Sequence, residues 1–441
     1  MAHSIRRRAA AGLIIGGLLA TAACSNGGDS GGADGASGGS GVSIWATSGT
    51  DDVITASADR WNEANGADLS AQFFENDPYK SKLRTAISAG EGPTVFSGWG
   101  GGGLQTYVDA GEVESLQSAL DAAPELRDRY FPSVLKAATI DGEVYGVPYN
   151  GVQPVVIYFN KDVFEQAGVE VPESWDDLMT AVGELKDAGV APFTIGGASK
   201  WPYLMWIAYL TDRIGGPEVF QRVVDGEEGA WEDPAIIEAA AMIQDLVEAG
   251  GFVDGFSSVD ANQGAAEALL YTGKAAMQLQ GAWAYSGTYQ SAAAEFVDAG
   301  SLGWTAFPTV EGGKGDPTNL TGNLATFFSV TSAADDAAKE EATDWLLNGV
   351  FDDEYVDELM ATGAVPPVSG LEDKIAQSAA PEWNEFVYET SEAADSFQLS
   401  WDQALDAQQA EALLTNLEKV FLMEITPEEF AAAMNEAAQQ G

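Results

Sequence analysis

Val42-Ser-Ile-Trp-Ala46 opens the stretch that decides the fold. It is a short apolar run followed by Asp51 to Asn65, in which Val53, Ile54, Ala58 and Trp61 recur at helical spacing. Leu69 to Phe74 is a second apolar run, Tyr79 to Ala89 a second amphipathic segment, and Pro93 to Ser97 a third strand-like run. Gly66 and Gly90 stand where the two helices should stop. Strands alternating with helices predict a parallel α/β sheet, which binds ligands at the carboxyl ends of its strands.

The pattern continues along the chain. Val155 to Phe159 reads as a strand, Asp162 to Ala167 as a helix closed by Gly168, and Ser174-Trp-Asp-Asp177 as a capping box for a helix running to Ala188. Pro234 to Ala249 and Asp260 to Tyr271 are expected helices. Ala275 to Gln280 is an expected strand leading into Gly281-Ala-Trp283, and Leu324 to Thr331 another. From Ser332 the chain is helical and rich in Ala and Glu, and no internal repeat occurs.

With 441 residues, 46% of them hydrophobic, the chain can bury the cores of two or three lobes. Its formal net charge of −48 repels phosphate backbones and excludes nucleic acid as a partner, leaving neutral or cationic ligands. The only histidine is His3 and the only cysteine Cys24. Both fall in or beside a segment with the order of an export signal: Arg6-Arg7-Arg8, the apolar and small residues Ala9 to Ala23, then Thr-Ala-Ala-Cys at 21 to 24. Cleavage after Ala23 removes the histidine, so the mature chain cannot run Ser-His-Asp or Cys-His catalysis and lacks the commonest zinc ligand. No intrachain disulfide can form. Residues 24–41 are dominated by Gly and Ser and read as a flexible tether. No Asp-x-Asp-x-Asp-Gly loop occurs, and neither a metal nor a cofactor is expected. The N-terminal segment resembles a bacterial lipoprotein signal, although Thr21 stands where such signals usually carry Leu; the resemblance implies lipidation of Cys24 and anchoring at the outer face of the cytoplasmic membrane.

Four elements carry a wider resemblance: Gly142-Glu-Val-Tyr-Gly-Val-Pro148, Val155-Val-Ile-Tyr-Phe-Asn-Lys161, Phe164 with Ala167-Gly168, and Pro172 with Trp175-Asp-Asp-Leu178. Tyr271-Thr-Gly-Lys-Ala-Ala-Met277 running into Gly281-Ala-Trp283 is a further motif, and Trp304 to Pro308 another. In this order they resemble the extracellular solute-binding proteins of carbohydrate ABC importers, the maltose-binding-protein-like family 1. The resemblance implies a two-lobed α/β periplasmic-binding-protein-like fold. Three crossings near Asn150–Val152, Trp304–Phe307 and Ser329–Ser332 would divide it into one lobe of residues 42–150 and 306–331 and another of 151–305 and 332–441. It further implies a monomer without catalytic residues, closing by a hinge around a sugar and presenting it to membrane permease subunits.

Sugars offer hydroxyls and a flat C–H face, so their sites combine aromatic platforms with a few polar side chains. By the family motif Trp283 is the expected stacking platform. Trp99, after the third strand and before Gly100 to Gly103, is expected in a ligand-contacting loop whose glycines permit close backbone approach; no Gly-Lys-Ser/Thr accompanies them, which excludes a phosphate loop. Trp201 resembles a cleft-edge aromatic, with Trp206 competing for the role, and Trp401 with Asp402 opens the C-terminal helical region beside the cleft. Trp45, Trp61 and Trp175 are expected to pack. Ser48 follows the first strand, and Asn76 and Tyr79 the second. Asn150 lies at the first crossing, Gln153 at a hinge position, and Asn323 at the start of a crossing strand. Asn319-Leu-Thr321 is formally a glycosylation sequon.

The sugar expected is a short neutral oligosaccharide of the xylobiose type, ahead of raffinose-type galactosides, malto-oligosaccharides and chitobiose. Two other readings stand beside it. A secreted glycoside hydrolase needs only two carboxylates and survives the loss of histidine. A structural surface lipoprotein would need no cleft.

Overall fold

The computed structural model describes residues 41–439; the signal segment, Cys24 and nearly all of the tether lie outside the described residues. The strands are β1 Val42–Thr47, β2 Leu69–Phe74, β3 Val95–Gly98, the short hairpin β4 Thr139–Ile140 and β5 Glu143–Val144, β6 Val147–Pro148, β7 Gln153–Asn160, β8 Ala191–Thr194, β9 Ala275–Gly281, β10 Leu302–Thr305, β11 Leu320–Asn323, β12 Phe327–Val330 and β13 Phe397–Leu399. They form two main sheets. The first has the order β2-β1-β3-β12-β6, with β1 to β3 parallel as the alternation requires and β12 antiparallel to its neighbours. The second has the order β13-β11-β7-β9-β8, with β10 also paired to β7.

Local chemistry sets most helix boundaries. Helix Asp51–Asn65 ends at Gly66, whose φ of 68° is left-handed. Trp175–Asp187 begins at a reciprocal capping box between Ser174 and Asp177. Two expected boundaries move. The second helix spans Asn76–Ser88 rather than starting at Tyr79, because Glu75 stays extended and the turn begins one residue later. The expected helix from Asp260 starts only at Ala265, since Gly264 adopts φ 68° and Asn262 turns back onto Asp260.

β7 is buried along its whole length. Val155, Ile157 and Phe159 face one core, together with Trp206, Trp231 and Trp401; Val156 and Tyr158 face the other. Burying such side chains from water is the main stabilising term for both lobes.

The chain passes from the first sheet to the second between β6 and β7. The other two crossings are redrawn. The segment 304–307 stays with the second lobe: β10 pairs with β7, and Phe307 stacks on Tyr209 at 4.6 Å. The passage lies instead between β11, in the second sheet, and β12, in the first. After β12 the helices Asp336–Asn348 and Asp353–Ala361 stay beside the first sheet, Trp345 against Phe328 of β12 at 5.6 Å and the Tyr355 hydroxyl donating to Tyr149 O at 2.7 Å, so these helices belong with the first lobe rather than the second. The chain is back at the second sheet by Trp383, which stacks on Tyr285 at 4.5 Å. Asn319 is 2% exposed and its amide donates to Asp212, which removes the sequon from the surface. Among the described residues no helix is long and apolar enough to cross a membrane.

Candidate functional site

A cavity of about 400 Å³ lies between the two sheets. From the first lobe it is lined by Thr47 at the end of β1 and Ser48 after it, Glu75 and Asn76 after β2, and Trp99 after β3, the carboxyl ends of three parallel strands. From the second lobe come Trp201, Trp283, Glu267 and the segment Ser286–Thr288. Asn150, Gln153 and Asn323 line it where the chain passes between lobes.

The aromatic walls are built locally. Trp283 follows β9, its ring edge-on to Trp201 at 5.9 Å and 62°. A π-helical turn, Tyr285–Tyr289, comes directly after it and sets Ser286, Gly287 and Thr288 on the cavity wall. On the opposite lobe Trp99 is half-buried, edge-on to Tyr79, with the Lys80 ammonium 4.8 Å from its ring centre. Trp206 is 1% exposed and packs edge-on against Phe193, so of the two competing tryptophans Trp201 is the one on the cavity.

The polar groups divide into those already paired and those not. Asn323 donates to Gln153 at 3.4 Å, while its own Oδ1 has no hydrogen-bond partner among the described residues. Trp201 Nε1 and Glu267 Oε2 are likewise buried and unpartnered. Burial pushes the Glu267 carboxyl above the usual carboxylate range, and burial with Asp260 and Asp51 nearby does the same to Glu75 at the rim.

The lobes touch across the cavity. Asn262 donates to Asp77 at 2.9 Å, and Lys80 pairs with Asp402 at 3.3 Å. Gly101 and Gly102 form the first turn of helix Gly101–Asp109 and lie against the backbone of Gln403–Leu405, where any Cβ would overlap a carbonyl. The glycine run therefore serves close approach, but the approaching backbone is the chain's own.

One expected site residue lies off the cavity wall, and another lines it from within the core. Tyr79 is fully buried and off the cavity wall, its hydroxyl donating to Ser97 O at 2.7 Å, because it is the apolar-face residue of its helix. Trp401 lines the cavity and is fully buried; its ring stacks flat on Phe220 at 4.1 Å and its indole N–H donates to Gln398. Ser48, Asn76, Trp99, Asn150, Gln153, Trp201, Trp283, Asn323 and Asp402 all line the cavity. Sequence reasoning missed Glu267, Lys80 and Asn262. For Glu267 the available signal was its place beside Ala266 and Leu270 on the buried face of its helix. Among the described residues no group of His, Cys, Asp and Glu could hold a metal ion.

The profile of the bacterial extracellular solute-binding protein family matches residues 46–348. An uncharacterised ABC transporter extracellular-binding protein of Pyrococcus horikoshii is 28% identical over 208 residues, 46% of this chain and 45% of that protein; the match thus spans less than half the length of that curated relative. A solved structure from work on xylan utilisation by the thermophilic bacterium Caldanaerobius polysaccharolyticus superposes with a TM-score of 0.78 at 28% identity, over 90% of this chain and 99% of that one. A chitin oligosaccharide binding protein shares the fold at a TM-score of 0.79 and 24% identity, over 91% of this chain and 99% of its own. The family and this relative are binding proteins, not enzymes. With two sheets enclosing a cleft and the profile matched across most of the chain, the protein belongs to the bacterial extracellular solute-binding proteins.

Proposed function

We propose that this chain is the ligand-capturing component of an ABC sugar importer, binding a short neutral oligosaccharide of the xylobiose type and delivering it to membrane permease subunits. The observation that carries the reading is the pairing of indole walls with unpartnered polar atoms in one cavity: Trp99 from one lobe and Trp201 and Trp283 from the other line it, and Glu267 Oε2, Asn323 Oδ1 and Trp201 Nε1 lack partners among the described residues. Flat apolar faces suit the C–H side of a pyranose, and unpaired acceptors and donors suit its hydroxyls. No lysine or arginine lines the cavity except Lys80, which Asp402 already engages, and this favours a neutral ligand. The 28% identity to the structure from xylan utilisation supports xylo-oligosaccharides over the other sugars.

The protein acts as a monomer, exported and tethered through lipid on Cys24 to the outer face of the cytoplasmic membrane. A thermal-shift screen over xylobiose, raffinose, maltose and chitobiose tests the ligand, since a molecule that binds only the folded state raises its melting temperature. The expected result is a rise largest with xylobiose and no product after prolonged incubation; released monosaccharide would mark a hydrolase instead. Cys24→Ser should move the protein from membranes to the medium, and equal membrane retention of variant and wild type would contradict the anchor.

A further inference from the structure

Glu267 is a carboxylate in the deep wall of the cavity, 3% exposed, on helix Ala265–Tyr271. One oxygen is held. Oε1 accepts from Gln278 Nε2 at 2.9 Å and from Gln280 Nε2 at 3.4 Å, both on β9. Neither glutamine is free to turn over. Gln278 uses its own oxygen to accept from the Tyr289 hydroxyl at 2.6 Å, and Gln280 uses its oxygen to accept from the Gly281 N–H at 3.1 Å. Their amide N–H groups are thereby aimed at Glu267, and the carboxyl plane is set.

The second oxygen, Oε2, is buried and has no hydrogen-bond partner among the described residues. Among the described residues no salt bridge neutralises the group, and burial pushes its pKa up. A carboxylate removed from water without a donor on each oxygen is costly, so a wall built this way gains when an O–H arrives at Oε2.

Building on the sugar reading above, we infer that Glu267 is a specificity-determining residue: Oε2 accepts a hydrogen bond from one ligand hydroxyl and so selects rings carrying a free hydroxyl at that position. Asn323 and Trp201 are less selective, since an amide oxygen and an indole N–H meet many hydroxyls at lower strength. An acceptor held in a wall that water does not reach is costly to leave unmet, and a site holding such an acceptor rejects an analogue that lacks the donor.

The test is a cycle between protein and ligand, read by calorimetric titration. Xylobiose and its singly deoxyfluorinated derivatives are titrated into wild type and Glu267→Gln; fluorine keeps the bulk of a hydroxyl but cannot donate. In the variant the two glutamines retain the side-chain oxygen, so an NH₂ replaces Oε2. For one fluorinated position wild type should lose about 10- to 100-fold in affinity and the variant less than about threefold. Equal losses in both proteins at every position would overturn the inference, because a purely structural Glu267 would weaken all ligands alike. A crystal structure of wild type with xylobiose needs no folded variant: a ligand hydroxyl at hydrogen-bond distance from Glu267 supports the assignment, and a carboxylate that meets no ligand oxygen refutes it. If xylobiose does not bind wild type but maltose or chitobiose does, the xylan reading fails alone, and the cycle run with that sugar decides Glu267. A wild type that binds none of the three removes the sugar and the acceptor role together.

Discussion

The indole of Trp283 folds back over Gly281, so closely that a methyl group on that glycine would overlap the six-membered part of the ring. Gly281 is the last residue of β9 and its φ is not left-handed, so backbone freedom is not what a side chain would cost here. What Gly281 provides is the space in which the Trp283 platform lies. Gly281→Ala should therefore displace the ring and weaken sugar binding by about 10-fold, a cost of roughly 1.4 kcal/mol, with little change in melting temperature. Calorimetric titration beside a thermal melt checks this; unaltered affinity would detach the ring's position from binding.

Trp401→Ala separates core from site. Its ring is fully buried between Phe220 and Trp231, and truncation of such a side chain costs ~3–5 kcal/mol of stability. The melting temperature should fall sharply while the protein still folded binds sugar with near-normal affinity. A large affinity loss at unchanged stability would return Trp401 to the site.

Much of this was legible in the sequence, and the failures share a physical cause. β1, β2 and their helix were readable because apolar spacing and the left-handed Gly66 act locally. β11 and β13, of four and three residues, carry too little pattern to reveal which sheet they join, and the crossings were misplaced with them. Tyr79 was assigned to the ligand because it follows β2, yet its helix begins at Asn76 and turns it inward. Glu267 was hidden by abundance: among 68 acidic residues one on a buried face does not stand out until its glutamine partners on β9 are seen.

The ion pair Lys80–Asp402 and the Asn262–Asp77 hydrogen bond join the lobes across the cleft. Lys80→Ala should favour the open arrangement and weaken apparent sugar affinity by about two- to fivefold, the usual range for a partly exposed pair. Raising the salt concentration should weaken wild type more than the variant. Small-angle scattering at saturating sugar should show compaction in both proteins. Identical affinities across the salt series would show that the pair does not bias closure.

Glu267 also ties stability to pH. Its carboxyl is held above the ordinary range by burial, so the native state keeps its proton to higher pH than the unfolded chain does. That contribution is complete below the unfolded value of about 4.3 and is lost as pH rises through the folded value. The titratable neighbours, Tyr158 and Tyr289, are pushed upward by burial and stay neutral throughout. The melting temperature of wild type minus that of Glu267→Gln should therefore fall as pH is raised from about 4. A difference independent of pH would mean that the group ionises as freely in the fold as outside it.

The central claim is that a neutral sugar stacks on Trp283 in the cleft between the lobes, and calorimetric titration of xylobiose into wild type and Trp283→Ala addresses it most directly. The expected result is saturable one-to-one binding to wild type and a loss of ~2 kcal/mol or more in the variant, roughly 30-fold, at nearly unchanged melting temperature. Equal affinity in the two proteins, with a sharply lowered melting temperature for the variant, would contradict it.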